Sequence, residues 1–255
     1  MMALASDDSG VNGIILPLVT AARADEVEQR IRLAISLGLI PDGQQLPSET
    51  AFASQLGVSP MTLRDALASL REQGLVETRR GRTGGTFVKR PLSPRVPGLW
   101  ERLRQISLTA LRDLTDEHSA VAGMSAQLAA ERASESNVRR LRSLTDQLSK
   151  AESLGSRIRA DSRFHVDLAA ASQSERLLQR EVSLQGEVGD LLWLPHTPAL
   201  DPSQEVSDHL EMVSAIADED GDRARHLAEG HVQKHFRRLA ELHHVATRFD
   251  EGRDE

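Results

Sequence analysis

"GLIPDGQQLPSETAFASQLGVSPMTLRDALASLREQGLVETRRGRTGGTFV", residues 38–88, decides the architecture of the chain. Just ahead of it, Val27, Ile31, Ala34 and Ile35 recur at helical spacing, and Gly38 is placed to stop that first helix. Pro47 and Ser48 open a second, short helix that runs through Phe52 to Leu56 and closes at Gly57. Ser59 then stands as an N-cap with Pro60 at the first helical position, where a missing N–H costs nothing. Leu63, Ala66, Leu67 and Leu70 line one face of this third helix, which ends at Gly74. Two β-prone pieces follow, LVET (75–78) and TFVK (86–89), joined by RRGRTGG, whose glycines suit a turn that needs positive φ. Three helices with a tight glycine turn between the second and third, followed by a basic hairpin, predict a winged helix-turn-helix.

Beyond residue 90 the composition changes. PLSPRVPG (91–98) breaks any continuing element and reads as a linker, and residues 99–249 look helical almost throughout. The expected helices cover 100–117, 119–134, 137–154, 156–172, 174–193, 203–219 and 222–247. The fold class is therefore mainly α: an N-terminal winged helix-turn-helix followed by an all-α helical-bundle domain. The expected organisation is an extension (1–23), the winged helix-turn-helix (24–90), a linker (91–99), the all-helical domain (100–247) and a tail (248–255).

The 255 residues carry a formal net charge of −7 and no cysteine. A disulfide framework and a thiolate metal site are excluded, so any metal must sit on His, Asp or Glu. The apolar patch Ile14 to Val19 follows Asp7 and Asp8 rather than a basic segment and does not read as a secretory signal. With no long apolar run either, the expectation is a cytoplasmic protein that engages no membrane. The negative total hides a local excess: Arg79, Arg80, Arg82, Lys89 and Arg90 lie within twelve residues that contain no acid. Local charge, not the sum, governs contact with a polyanion.

Chemistry assigns roles within that head. Arg64, one turn into the third helix, carries a planar fork able to meet guanine O6 and N7 in the major groove. Thr62 can touch a phosphate or a base edge, and Ser59 both caps the helix and approaches the backbone. Arg79, Arg80 and Arg82, with the exposed N–H groups of Gly84 and Gly85, load the wing with donors near the minor groove. Arg71 reads as a solvated helix face.

In the second half, polar groups interrupt stripes that ought to be apolar. Asp161 and His165 fall in the row Ile158, Asp161, His165, Leu168, Ser172; His209 in Val206, His209, Leu210, Val213, Ile216; His231 in Leu227, His231, His235, Leu239, Leu242. Any one such histidine reads as a core residue hydrogen-bonded to backbone. Three helices that each aim an imidazole inward, with one carboxylate, make a donor set for zinc, nickel or manganese. His235 shares its face with His231 and competes for that assignment, whereas His118, His196, His226, His243 and His244 read as solvated.

These motifs carry a resemblance. LPSE, GVS, TLRDAL and GGTFV, in that order, resemble the DNA-binding domain of the GntR family of bacterial transcription regulators. "LAAERA" from Leu128, "DSRFH" (161–165), "HLEMVSAI" from His209 and "DRARHLAEGH" (222–231) resemble the FCD ligand-binding domain of its FadR subfamily. The resemblance implies a divalent cation, zinc first with nickel or manganese as alternatives, held by Asp161, His165, His209 and His231. It also implies a homodimer on a palindromic double-stranded operator and a small effector, an organic acid, bound at or near the metal. Two positions in the head depart from the family, Pro60 and Thr50 standing where many members carry Arg. Ser119 and Ala122 occupy the positions of an Arg and a Glu that line the ligand cavity, which leaves Arg157 and Arg163 as candidate carboxylate partners. Two other readings stay open: a regulator for which the metal itself is the signal, and a zinc hydrolase with an open coordination position.

Overall fold

The computed structural model describes residues 23–81, 84–89 and 96–251, with side chains through residue 248. The chain divides into two compact units, residues 1–92 and 93–255.

In the first unit α1 (Ala24–Ser36) buries Val27, Ile31, Ala34 and Ile35, the row expected from its spacing. The Ser48 hydroxyl accepts the Ala51 N–H to start α2 (Glu49–Leu56), and Gly57 ends it at φ 67°, a conformation that a side chain strains. Two residues later, Ser59 accepts the Thr62 N–H at 3.1 Å and opens α3 (Pro60–Glu72). Helix α3 buries Leu63, Ala66, Leu67 and Leu70 and leaves its opposite face to solvent. Strands β1 (Val76–Arg79) and β2 (Gly85–Val88) pair antiparallel in the register Val76↔Val88 to Arg79↔Gly85. A third piece joins them. The Gly43 N–H donates to the Val88 carbonyl at 2.9 Å and the Leu46 N–H to that of Thr86 at 2.8 Å, with a bridge Gln45↔Phe87. Its sequence, DGQQ, has neither β-branched residues nor alternation, so the tertiary pairing alone makes it extended. Leu63 is fully buried. Leu63→Ala should lower the stability of this unit by about 2–5 kcal/mol, read as a shift of its unfolding midpoint; no shift would mean that α3 does not pack as described.

The second unit is all helical: α4 (Val96–Gln105), α5 (Leu108–Arg132), α6 (Glu135–Ser149), α7 (Leu154–Ala171), α8 (Glu175–Leu184), α9 (Pro202–Ala217) and α10 (Gly221–Glu251). The first break differs from expectation. It falls at residues 106–107, where the Ser107 hydroxyl accepts the Ala110 N–H at 3.1 Å, and the helix then runs unbroken through residue 118. No glycine, proline or cap interrupts that stretch, and Thr115 and His118 are buried there. Helix α4 begins inside the segment read as linker, with Pro97 in its first turn, where a proline is tolerated. Capping boxes at Ser134/Asn137 and Ser153/Ser156 start α6 and α7 two residues ahead of the periodicity estimate. Helix α8 ends at Leu184 in a π-helical turn, Gln185–Gly189, which then delivers Leu191 to Leu194 into the core. At Gly189 a Cβ would meet Gln185 Oε1 at 2.6 Å and Ser162 Oγ at 2.8 Å, so a larger residue there would make these buried side chains shift. Phe164, Leu168, Val213, Ile216, Ala224, Ala228 and Val232 form one continuous core that joins α7, α9 and α10.

Candidate metal centre and nucleic-acid interface

Helix α7 is driven into the bundle by Phe164 and Leu168, α9 by Met212, Val213 and Ile216, and α10 by Ala228 and Val232. Those anchors fix the rotation of each helix and thereby the direction of its polar intruders. Asp161, His165, His209 and His231 are each at most 4% exposed, and the side-chain ligand atoms of the three histidines lie within 4.8 Å of one another. Asp161 Oδ1 sits 3.7 Å from His165 Nε2 and 3.5 Å from His209 Nε2. Asp161 Oδ1 and the Nε2 atoms of His165, His209 and His231 are all without a hydrogen-bond partner. Four buried lone-pair donors with no proton to share would be costly for the fold to keep. A divalent cation, with bonds of about 2.0–2.2 Å to N and O donors, suits such a set. The residues present therefore fit the metal that the resemblance implies.

The surroundings orient these groups. Trp193, delivered by the segment after the π turn, donates its indole N–H to Asp161 Oδ2 at 2.9 Å and leaves Oδ1 facing the histidines. The His209 ring stacks on Phe164 at 3.8 Å between centroids and 7° between planes. Asp208 Oδ2 lies 3.2 Å from His231 Nδ1 and also accepts from Lys234 Nζ at 2.7 Å. Burial opposes ionisation of Asp208, but hydrogen bonds from His231, Lys234 and Gln204 hold it far below the usual carboxylate range. An ionised carboxylate only accepts, so His231 carries its proton on Nδ1 and presents a bare Nε2 to the cluster.

Sequence reasoning left four members of this neighbourhood outside the expected donor set. Glu205, one turn before His209, is 3% exposed and approaches His231 Nε2 at 3.6 Å and His235 Nε2 at 2.8 Å. Asp208 is the second. The third is His235, expected to compete with His231, which pairs with Glu205; burial lowers its basicity, yet the Glu205 charge and hydrogen bond leave it raised. The fourth corrects the reading of His118 as solvated: it is 4% exposed and bonded to Glu181 at 3.1 Å, and its ring lies 6.4 Å from that of His165. The signal for it was present, because Leu111, Thr115, His118 and Ala122 follow helical spacing.

Arg157 Nε donates to the Ala151 carbonyl at 3.2 Å, and Arg163, on the far side of α7 from the Asp161/His165 row, donates to Asp167 at 3.3 Å. Ser119 accepts a hydrogen bond from Gln233 at 3.1 Å, and Ala122 packs in the core.

Burial, reinforced by the charge of Glu205, pushes Asp161 up to about 7, while burial and neighbouring imidazoles bring His231 down to about 4 and His165 and His209 well below their ordinary value. A ligand carboxylate must shed its proton. As pH falls through 7, Asp161 takes up a proton that competes with the cation, while the depressed imidazoles stay neutral. Apparent metal affinity should then drop by about tenfold per pH unit below 7, measured by zinc-indicator titration at pH 5, 6, 7 and 8. A flat profile would mean that Asp161 is ionised throughout this range and does not limit metal binding.

In the head, Ser59 Oγ and Thr62 Oγ1 lie 2.8 Å apart at the solvent end of α3. Arg64 is 64% exposed and donates to Glu49 at 2.6 Å. Arg79 lies over the Phe87 ring, 4.2 Å from its centroid, and Arg80 is exposed. Arg71 departs slightly from its reading as a solvated face, since it donates to Thr78 on β1 at 3.1 Å. A Cβ on Gly84 would strike the Arg79 carbonyl at 2.6 Å, and the Gly84 carbonyl accepts from Gln45 at 3.1 Å, so this glycine permits the close return of the wing. Gly85 begins β2. Arg82 lies outside the described residues, as does the Ile14 to Val19 patch. No helix among the described residues is long and apolar enough to cross a membrane.

A winged helix-turn-helix with exposed cations, followed by a helical unit that encloses a polyhistidine cluster, defines a class: the DNA-binding regulator with a C-terminal helical domain. Residues 23–88 match the bacterial regulatory proteins of the gntR family, and residues 113–234 match the FCD domain. A Mycobacterium gastri protein that bears the name HTH-type transcriptional regulator RmpR is 44% identical over 216 residues, 84% of this chain and 79% of that one. The protein of Escherichia coli K12 named for regulation of an L-lactate dehydrogenase operon is 30% identical over 236 residues, 89% and 88% of the two chains. The solved structure of E. coli McbR/YncC shares the fold, with a TM-score of 0.51, 18% identity and coverage of 87% and 99%. The chain belongs to the gntR family of bacterial regulatory proteins and carries an FCD domain. It is a DNA-binding transcriptional regulator and not an enzyme, which removes the hydrolase reading.

Proposed function

We propose that this regulator, of the FadR subfamily, binds a palindromic operator as a cytoplasmic homodimer and that a small organic acid, bound at or near a divalent cation in the helical unit, modulates its operator affinity. One observation carries the metal half of this reading: Asp161 Oδ1 and three imidazole Nε2 atoms are buried together without hydrogen-bond partners. Zinc leads, with nickel and manganese next, because the donors are imidazole and carboxylate. The relative named for an L-lactate dehydrogenase operon favours small hydroxy acids as the first effectors to test. For the DNA half, Ser59, Thr62 and Arg64 crowd the exposed start of α3, Arg79 and Arg80 with Gly84 and Gly85 load the wing with donors, and the sequence adds Arg82 between them. Two such heads on a two-fold axis suit half-sites about one helical turn apart. An effector acts only through unequal affinity for the free and operator-competent states.

The experiment is a titration of the zinc-loaded protein against a duplex of its own upstream region, at several salt concentrations and with L-lactate and other organic acids. Binding should be steeply salt-dependent and should shift by fivefold or more, about 1 kcal/mol of coupling or above, with one acid. Salt-independent binding contradicts the DNA half. A shift with added metal alone and none with any acid makes the metal the signal.

A further inference from the structure

The metal centre contains one more carboxylate than the four-donor set needs. We infer that Glu205 is a built-in fifth ligand, held by His235, that occupies the coordination position where an effector carboxylate would otherwise bind; this rests on the metal reading above. Glu205 is one turn ahead of His209 on α9, as Asp161 is one turn ahead of His165 on α7, so two helices present the same carboxylate and histidine spacing to one point. Ligand atoms of Asp161, Glu205 and His209 all lie within 4.8 Å of one another, and those of Glu205, His231 and His235 do likewise. The side chain is buried, so its charge needs a partner, and His235 Nε2 at 2.8 Å supplies one hydrogen bond.

Charge balance argues the same way. A divalent cation with Asp161 and three neutral imidazoles keeps one positive charge in a dry interior, which a monoanionic acid could neutralise. With Glu205 bound, the centre is neutral without any effector. An incoming carboxylate must therefore displace Glu205, and its affinity is reduced by whatever that internal contact is worth. Glu205 then sets the concentration at which the regulator responds. His235 acts through Glu205 as a positioning residue.

The test uses the full-length protein loaded with cobalt(II), whose visible absorption reports ligand number and type, with acetate as the probe. E205Q and E205A should both bind cobalt at least about tenfold more weakly than the wild type and show an altered spectrum. Acetate should leave the wild-type spectrum unchanged into the millimolar range and change that of both variants. H235Q should keep cobalt and acquire acetate sensitivity, which a purely structural role would not produce. E205D, with a shorter reach, should give an intermediate response. Circular dichroism identifies any variant that fails to fold, and E205Q, isosteric with the native residue, is decisive in that case. Unchanged cobalt affinity and spectrum in E205Q, or equal acetate response in wild type and variant, overturns the inference. Retention of metal after loss of His209 and His231 instead overturns the metal reading beneath it.

Discussion

Simultaneous replacement of His209 and His231 by alanine abolishes stoichiometric metal in the purified protein. The two residues come from α9 and α10; His209 Nε2 lies 3.5 Å from the unpartnered Asp161 Oδ1, and the ligand atoms of His165, His209 and His231 lie within 4.8 Å of one another. Loss of an outer hydrogen-bond partner typically weakens a metal site by about 10–100-fold, and loss of two direct ligands should exceed that range. Elemental analysis after dialysis reads the content. A stability measurement separates ligation from folding. Chelation should destabilise the wild type, by about 4 kcal/mol if free metal had stood at a thousand times its dissociation constant, and should leave the double variant unaffected. Full metal content in the variant contradicts the assignment.

Arg64→Ala should weaken operator binding by about 5–150-fold and relax preference at one base pair, with little change in the unfolding midpoint. In the free protein Arg64 is spent on Glu49, an exposed pair of the kind that contributes little, so the guanidinium is easily transferred to a guanine. Arg64→Lys should not restore binding, because an ammonium cannot reproduce the two parallel hydrogen bonds. Arg80→Ala on the wing should instead weaken binding similarly on all sequences and flatten the salt dependence. A uniform loss from Arg64→Ala across all duplexes would make Arg64 a phosphate contact.

The head was legible because its signals are local. Caps at Ser48 and Ser59, the glycine stop at Gly57 and the row Leu63, Ala66, Leu67, Leu70 are each set within a few residues, and the structure has them all. The strand partner at Gly43–Leu46 was not, since a bridge made by Gln45 to Phe87 depends on two segments forty residues apart. In the helical unit, Ser107 caps and splits what periodicity read as one helix, while His118, read as solvated, belongs to a buried row. Asp161, His165, His209 and His231 stood out as polar intruders in apolar stripes. Glu205 and Asp208 did not, because a glutamate or aspartate next to polar neighbours on α9 looks solvated until α10 covers it with His231 and His235. Spacing could have flagged Glu205, since it repeats the separation between Asp161 and His165. The rule that residues three or four apart share a face sets Arg163 away from Asp161 and His165 and puts Arg157 on their side of α7.

The most direct test of the centre is anomalous diffraction at the zinc edge from crystals of the zinc-loaded protein. A single strong peak bounded by Asp161 Oδ1 and the Nε2 atoms of His165, His209 and His231 is the predicted result. A zinc peak bound elsewhere, with these four atoms instead bridged by ordered water, would contradict it.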